Sequence, residues 1–220
     1  MKILELFSGT GHISEAFKAR GHETYRVDWS DKVEAELHAD ITKLTVKDII
    51  ELCGGVPDVI WASPDCTTYS VAAIYKHRKK LNDVMLPKTE YAAWCDFANI
   101  HLWNLIKELT ALGTKYFFVE NPRGGYRNGH FLDIVPHTRH TLTYCQYGNS
   151  NMKPTDIFTN HPNPKFLAPC KNGDPCHDSA PRGTNTGTQG KSSLLGMSRQ
   201  LSRGLMPVAL CEHVALIAEQ

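Results

Sequence analysis

The stretch from Pro57 to Ser70 constrains the fold of this chain more than any other. Val59–Ile60–Trp61–Ala62 is a short apolar run, entered after Gly54–Gly55 and broken at Ser63–Pro64. The chain then turns polar through Asp65–Cys66–Thr67–Thr68–Tyr69–Ser70. An apolar run of this length, β-branched at its start and closed by a proline, reads as a buried strand. Cys66 therefore sits just past a strand's C-terminal end. Ligands of open α/β sheets bind along that edge, so the thiol is placed for chemistry. Taken alone, the same residue also reads as a structural cysteine packed beside a turn.

Other junctions repeat the pattern. Lys2 to Phe7 is largely apolar and stops at Ser8–Gly9–Thr10–Gly11, after which Ile13, Ala16 and Phe17 recur at helical spacing. This is strand, glycine turn and helix, and it resembles the opening of a nucleotide-binding unit, in which glycine lets the backbone approach a ligand, although Gly-x-Gly by itself also reads as an ordinary turn. The strand near Glu23 to Val27 ends on Asp28–Trp29, nineteen residues beyond Gly9. At that interval a carboxylate reaches ribose hydroxyls. Trp29 is then placed to stack on an adenine face, and Asp40 to accept from an adenine amino group. Tyr116–Phe117–Phe118–Val119 reads as another buried strand, closed by Glu120–Asn121–Pro122. Successive strands joined by a right-handed crossover tend to be neighbours, so Cys66 and Glu120 should face one pocket.

The remaining segments are less specific. Residues 45–53 read as a helix, 67–87 as a polar loop, and Thr89 to Leu112 as a long amphipathic helix with Tyr91, Trp94, Phe97 and Trp103 in the core. A loop that long is usually a lid or a binding element. Residues 139–147 and 155–158 read as a strand pair at a mixed edge of the sheet. From Asn160 to about Ser193 prolines and glycines accumulate, which suggests a small recognition appendage or a disordered linker. Leu205, Val208, Leu210, Val214 and Ile217 suggest a final helix packing back on the first domain. Cys170, Cys176 and His177 are metal-binding residue types, but their spacing is irregular and no fourth ligand is evident, so no metal is expected.

Composition narrows the class. With 220 residues, 41% of them hydrophobic, the chain fits one folded domain with a small appendage. It contains no apolar run of roughly eighteen residues, and Glu5 interrupts the N-terminal apolar stretch. Seven scattered cysteines suit reduced thiols. The expectation is a cytoplasmic protein without membrane contact and without an evident obligate protein partner. A net charge of +1 gives no general case for a polyanion. Local charge does, in Lys76–His77–Arg78–Lys79–Lys80 and in Lys165, Lys171, Arg182, Lys191, Arg199 and Arg203, with a solvated face as the alternative.

Phe7–Ser8–Gly9–Thr10–Gly11, Asp28–Trp29, Asp40–Ile41, Ser63 to Ser70 and Glu120–Asn121–Pro122, in that order, resemble the motifs of the DNA cytosine-5 methyltransferases. In its compactness the chain is similar to small bacteriophage or prophage members, a setting that includes restriction-modification. The resemblance implies an α/β, Rossmann-like S-adenosylmethionine-dependent methyltransferase fold, with a mostly parallel sheet, an antiparallel edge and a small irregular recognition segment. It implies a catalytic domain over 1–158, a target-recognition segment over 159–197 and a C-terminal helix within 198–220. S-adenosylmethionine would be held by Phe7, Ser8, Gly9, Thr10, Gly11, His12, Ile13, Asp28, Trp29, Asp40, Ile41 and Ser63, and the partner would be DNA. Cys66 would add to C6 of a flipped cytosine and Glu120 would bond the ring at N3, with Asn121 and Lys153 completing the catalytic set.

The chain departs from the family's pattern at three places. Asp65 precedes Cys66 where proline is usual, Pro122 follows Glu120–Asn121 where valine is commoner, and Lys153 is the only basic residue near the first arginine of the Gln-x-Arg-x-Arg motif. Related readings stay open: C5 transfer on RNA, single-stranded or modified DNA, transfer of another group from a modified adenosylmethionine, or a catalytically silent DNA-binding protein.

Overall fold

The computed structural model describes residues 1–81, 84–177 and 205–220. Five parallel strands form most of one sheet: β1 (Lys2–Leu6), β2 (Glu23–Asp28), β3 (Leu37–His38), β4 (Val59–Ala62) and β7 (Tyr116–Pro122). Two antiparallel strands, β8 (Thr138–Thr143) and β9 (Pro154–Thr159), complete it in the order β3-β2-β1-β4-β7-β9-β8. Fold class and antiparallel edge are therefore as the sequence suggests. A separate hairpin joins β5 (Arg78–Leu81) to β6 (Val84–Pro87).

Side-chain alternation divides the core between the two faces of the sheet. Leu4, Leu6, Ile60, Ala62, Phe117 and Val119 face one cluster, under α2 (Val46–Cys53) and α4 (Glu90–Leu112). Ile3, Val59, Trp61 and Phe118 face the other, under α1 (His12–Lys18) and α5 (Val208–Ala218). Apolar residues on both faces explain why the central strands are unbroken apolar runs. By the same alternation Glu5 and Glu120 share the α1/α5 face.

The helices are set by their ends. Thr45 and Asp48 form a capping box before α2, which stops at Gly54 in the left-handed region, with φ 60°. Thr89 caps α4 by accepting from the Ala92 amide at 3.2 Å. Trp103 of α4 is fully buried, as expected, but Tyr91, Trp94 and Phe97 are exposed. They lie at the surface of α4, where Tyr91 and Trp94 stack on each other.

The stretch 67–87 is not a featureless loop. It holds α3 (Ile74–His77) and the β5–β6 hairpin. Arg78 was grouped above with phosphate-contacting residues, and the structure corrects this, since it is 4% exposed. Its guanidinium donates to the Thr68 carbonyl at 3.0 Å, pairs with Asp96 of α4 at 2.8 Å, and lies 3.8 Å from the centre of the Tyr69 ring. A buried cation with these partners is an anchor. Lys76, Lys79 and Lys80 stay exposed. Arg182, Lys191, Arg199 and Arg203, with most of the recognition segment, lie outside the described residues. Among the described residues no helix is long and apolar enough to cross a membrane.

Glu5 gives a test of the buried α1/α5 face. It accepts from the Ser14 amide at 2.9 Å, and burial pushes its carboxyl from 4.5 up to about 7. A raised carboxyl pKa stabilises the fold fully below 4.5, and that contribution is lost as pH rises through 7. Urea unfolding should show wild type losing about 3 kcal/mol across that window relative to Glu5→Gln, whose amide keeps the bond to Ser14 without titrating. Parallel pH profiles for the two proteins would contradict this.

Candidate active site

The crevice at the C-terminal edge begins in the turn after β1. Phe7, Gly9 and Gly11 have φ of 56°, 50° and 71°, so three residues in five adopt a left-handed backbone. A Cβ on Gly11 would come within 3.2 Å of the Arg26 side chain, and glycine avoids both problems. Phe7 has no such exemption; a non-glycine residue held at positive φ is characteristic of a functional turn.

Asp28 stitches this turn to the end of β2. Its carboxylate accepts from the Gly9 amide at 3.0 Å and from the Ser30 amide at 2.9 Å. Leu6, Phe7, Val27, Asp28, Trp29, Ala39 and Ile41 line the crevice that results. Trp29 is 77% exposed above it. Asp40 caps the short turn Ile41–Lys43, accepting from the Thr42 amide at 2.9 Å and hydroxyl at 2.8 Å. Those bonds hold its carboxyl below its ordinary value. Ser8 is buried, and its hydroxyl has no hydrogen-bond partner among the described residues. Gly9 has open space where a side chain would be. The Asp28 carboxylate in the crevice, with the unpartnered Ser8 hydroxyl and the uncovered Gly9 in the turn above it and Asp40 between the lining residues Ala39 and Ile41, fits a nucleoside-bearing ligand.

Other members of the predicted set have different surroundings. Thr10 is exposed. The Ile13 side chain lies wholly in the α1/α5 core. His12 Nδ1 lies 3.3 Å from the Met206 carbonyl, just before α5. Ser63 accepts from the Trp61 indole at 2.8 Å.

A second crevice shares Phe7 and continues past Pro64, Asp65, Trp94, Cys95, Ala98 and Asn99. It leads to the catalytic candidates. Strands β4 and β7 pair in parallel with Ala62 opposite Val119. Glu120 is thus one residue beyond the paired stretch, and the Cys66 turn starts from the neighbouring strand. Asn121 donates its side-chain amide to the Pro64 carbonyl at 3.0 Å and so ties the two strand ends together. Its Oδ1 is buried without a partner among the described residues.

Electrostatics join these groups. Burial, then the Glu120 carboxyl, then Asp65 push the Cys66 thiol up to about 11, against the opposing pull of Lys153. Burial also raises the Glu120 carboxyl, opposed by Lys153 and by the Tyr144 hydroxyl, which donates to Glu120 Oε1 at 3.0 Å. The Lys153 ammonium lies 4.3 Å from the centre of the Tyr144 ring. Lys153 itself has φ 28°, a strained backbone immediately before β9. Asp65, the unusual neighbour of the thiol, is bonded by the Tyr91 hydroxyl and accepts from the Thr67 amide at 2.6 Å. Its charge is turned into the loop.

Sequence reasoning missed several supports of this site. Tyr69, behind Cys66, donates to Asp96 at 2.6 Å, and Asn99 links it to Tyr126. Tyr144 is one of many aromatics, and nothing local marks it as the partner of Glu120. Gly124 is different, because a Cβ there would lie 2.4 Å from the Tyr69 carbonyl oxygen. The adjacent Gly124–Gly125 after a strand-ending proline was a visible signal of close backbone approach.

No family model and no curated protein matches the chain. Solved structures do. Entamoeba histolytica methyltransferase EhMeth superposes with a TM-score of 0.56 at 15% identity, over 78% of this chain and 57% of that one. A putative DNA modification methyltransferase encoded within an E. coli prophage gives 0.51 at 16% identity, over 72% and 46%. The chain thus spans about half the length of these structures, and at such identities the likeness establishes the fold. Both are methyltransferases, the class to which the motifs pointed.

The charge arrangement predicts the reactivity of the thiol. With a pKa near 11, Cys66 should be alkylated slowly by iodoacetamide at neutral pH, its rate rising about tenfold per pH unit toward that value. Lys153→Met removes the one cation that favours the thiolate, so alkylation of the Cys66 peptide should slow further at every pH. A rate that is flat with pH, or unchanged in the variant, would contradict the arrangement.

Proposed function

We propose that this protein transfers a methyl group from S-adenosylmethionine to C5 of cytosine in DNA, through a covalent adduct between Cys66 and C6 of a flipped base. The observation that supports the reading is the β4–β7 pairing, from whose neighbouring strand ends the Cys66 turn and Glu120 emerge, with Lys153 carried alongside at the start of β9, which pairs with β7. Asp28 and Asp40 would hold the ribose and adenine, with Trp29 stacking over the base and Ser8 and Gly9 facing the methionine portion. S-adenosylmethionine supplies, when bound, the electrophilic methyl that C5 captures.

The chain's own residues supply the remaining chemistry. Cytosine C5 is a poor nucleophile until a thiolate at C6 makes the ring enamine-like. Cys66 rests as a thiol, so addition needs the thiol proton to pass to water, the Lys153 ammonium to favour the thiolate left behind, and a second proton delivered to the ring. Glu120 is suited to that second task, because burial keeps its proton at higher pH than an ordinary carboxyl. Donation to N3 draws electron density from C6 as the thiolate approaches. Tyr144 holds one carboxyl oxygen and leaves the other for the base. Loss of the C5 proton to water, expulsion of Cys66 and return of the N3 proton to Glu120 then complete the cycle. The base must leave the stack to reach this pocket, and Lys76 and Lys79, exposed on the segment after Cys66, are placed to hold the backbone.

The test is a nucleoside analysis. DNA incubated with the protein and deuteromethyl-labelled S-adenosylmethionine should yield labelled 5-methylcytosine by mass spectrometry, and Cys66→Ala should yield none. Asp28→Ala should weaken cofactor binding in calorimetry by about 1.5–3 kcal/mol through loss of charge-assisted hydrogen bonds. Absence of cofactor binding to wild type, or label only in RNA, would contradict the proposal.

A further inference from the structure

Outside the active site, one cluster of side chains has the composition and shape of a metal centre. Cys145 lies in the turn Tyr144–Tyr147 after β8, and Cys170, Cys176 and His177 follow β9. Their ligand atoms all lie within 4.8 Å of one another, the one such group among the described residues. Sequence spacing concealed it, because the fourth member stands 25 residues before Cys170.

We propose that Cys145, Cys170, Cys176 and His177 bind a structural zinc ion that fastens the segment after β9 to the antiparallel edge of the sheet. The reading rests on this geometry alone and is independent of the reaction assigned to Cys66. Zinc–sulfur and zinc–nitrogen bonds of about 2.3 and 2.0 Å give a tetrahedron with sulfur–sulfur edges of about 3.8 Å and sulfur–nitrogen edges of about 3.5 Å. The Cys145–Cys176 sulfurs are 3.7 Å apart, and His177 Nδ1 is 3.6 Å from the Cys170 sulfur and 3.5 Å from that of Cys176. Cys145 and Cys170 are closer, at 3.0 Å, yet well beyond the roughly 2.05 Å of a disulfide.

The surroundings suit the metal. Three thiolates and an imidazole form a soft, four-ligand set that selects zinc and leaves no open position, which makes the site structural. Gln146 directs its side-chain amide at the Cys176 sulfur from 3.4 Å, and Thr143 accepts from the Cys170 amide at 3.0 Å. Donors and anchors of this kind orient first ligands and stabilise thiolate charge. Between the cysteines, the Lys171 amide donates to Asp174 at 2.7 Å and Gly173 takes φ 96°, folding the chain so that Cys170 and Cys176 converge. His177 presents Nδ1 to the sulfurs, and its buried Nε2 has no partner among the described residues. Cys145 also follows Tyr144 directly. The metal would therefore fix the turn that holds Glu120.

The full chain, purified under reducing conditions without added chelator, should carry one zinc per molecule by elemental mass spectrometry. X-ray absorption should show three sulfurs and one nitrogen. Cobalt(II) added to the metal-free chain should give the intense visible bands of a tetrahedral thiolate site. Cys176→Ser and His177→Ala should lose the stoichiometric zinc, whereas Cys53→Ser should keep it. Should those two variants fold poorly, His177→Cys preserves four ligands and should retain zinc with a four-sulfur spectrum. The proposal is overturned if the reduced chain binds neither zinc nor cobalt, if Cys176→Ser and His177→Ala both fold and retain full zinc, or if a Cys145–Cys170 disulfide accounts for the contact in a metal-free protein. Methylation activity enters none of these readouts, so loss of the reaction assigned to Cys66 leaves this result standing.

Discussion

The parallel pairing of β4 with β7 is the constraint on which the rest of the site depends. With Ala62 set opposite Val119, the first residue past the pair on β7 is Glu120, and the first turn past it on β4 carries Cys66. A slip of one residue would reverse the facing of every side chain on a strand. Glu120 would then leave Tyr144 for the α2/α4 core. Both strands are buried on both faces, so such a slip costs apolar contacts throughout the sheet. The register that sets Glu120 beside the Cys66 turn is thus fixed by the hydrophobic core.

What the strands position, a second set of contacts makes rigid. The Cys66 turn is held from one side by Asn121 bonded to Pro64, and from behind by Tyr69 in a buried network with Asp96, Asn99 and Tyr126. Arg78 closes that network and fastens the basic hairpin to α4. A buried ion pair of this kind is costly to break from one side, by about 3–5 kcal/mol. The turn is therefore a fixed platform, and the exposed lysines beside it are carried by an element anchored in the core. The same low-dielectric setting raises the thiol and the carboxyl together, with Lys153 the cation that opposes both shifts.

Much of this was legible in the residues. Val59–Ala62 and Tyr116–Val119 announce buried strands because double coverage demands unbroken apolar runs. The glycine turn, Asp28 and Glu120 are legible because strand ends are marked by glycine, acid and proline. The rest depends on contacts that carry no local period. Arg78 reads as one of five basic-type residues, and its burial depends on Asp96, eighteen positions away on α4. Tyr91, Trp94 and Phe97 look like core residues, but α4 buries Leu102, Trp103, Ile106 and Leu109 instead and leaves these three at its surface. Leu81 and its neighbours form a hairpin strand without alternation, held by pairing. Cys145 joins Cys170 only because β8 and β9 are antiparallel neighbours.

Covalent trapping tests the central claim most directly. A DNA duplex containing 5-fluorocytosine, incubated with the protein and S-adenosylmethionine, should stall after transfer, because fluorine at C5 cannot leave as a proton does. The account predicts a denaturation-resistant protein–DNA adduct that requires the cofactor, maps by peptide mass spectrometry to Cys66, and disappears in Cys66→Ala. Methylation of normal cytosine without any adduct on the fluorinated duplex, or an adduct that maps to another cysteine, would contradict it.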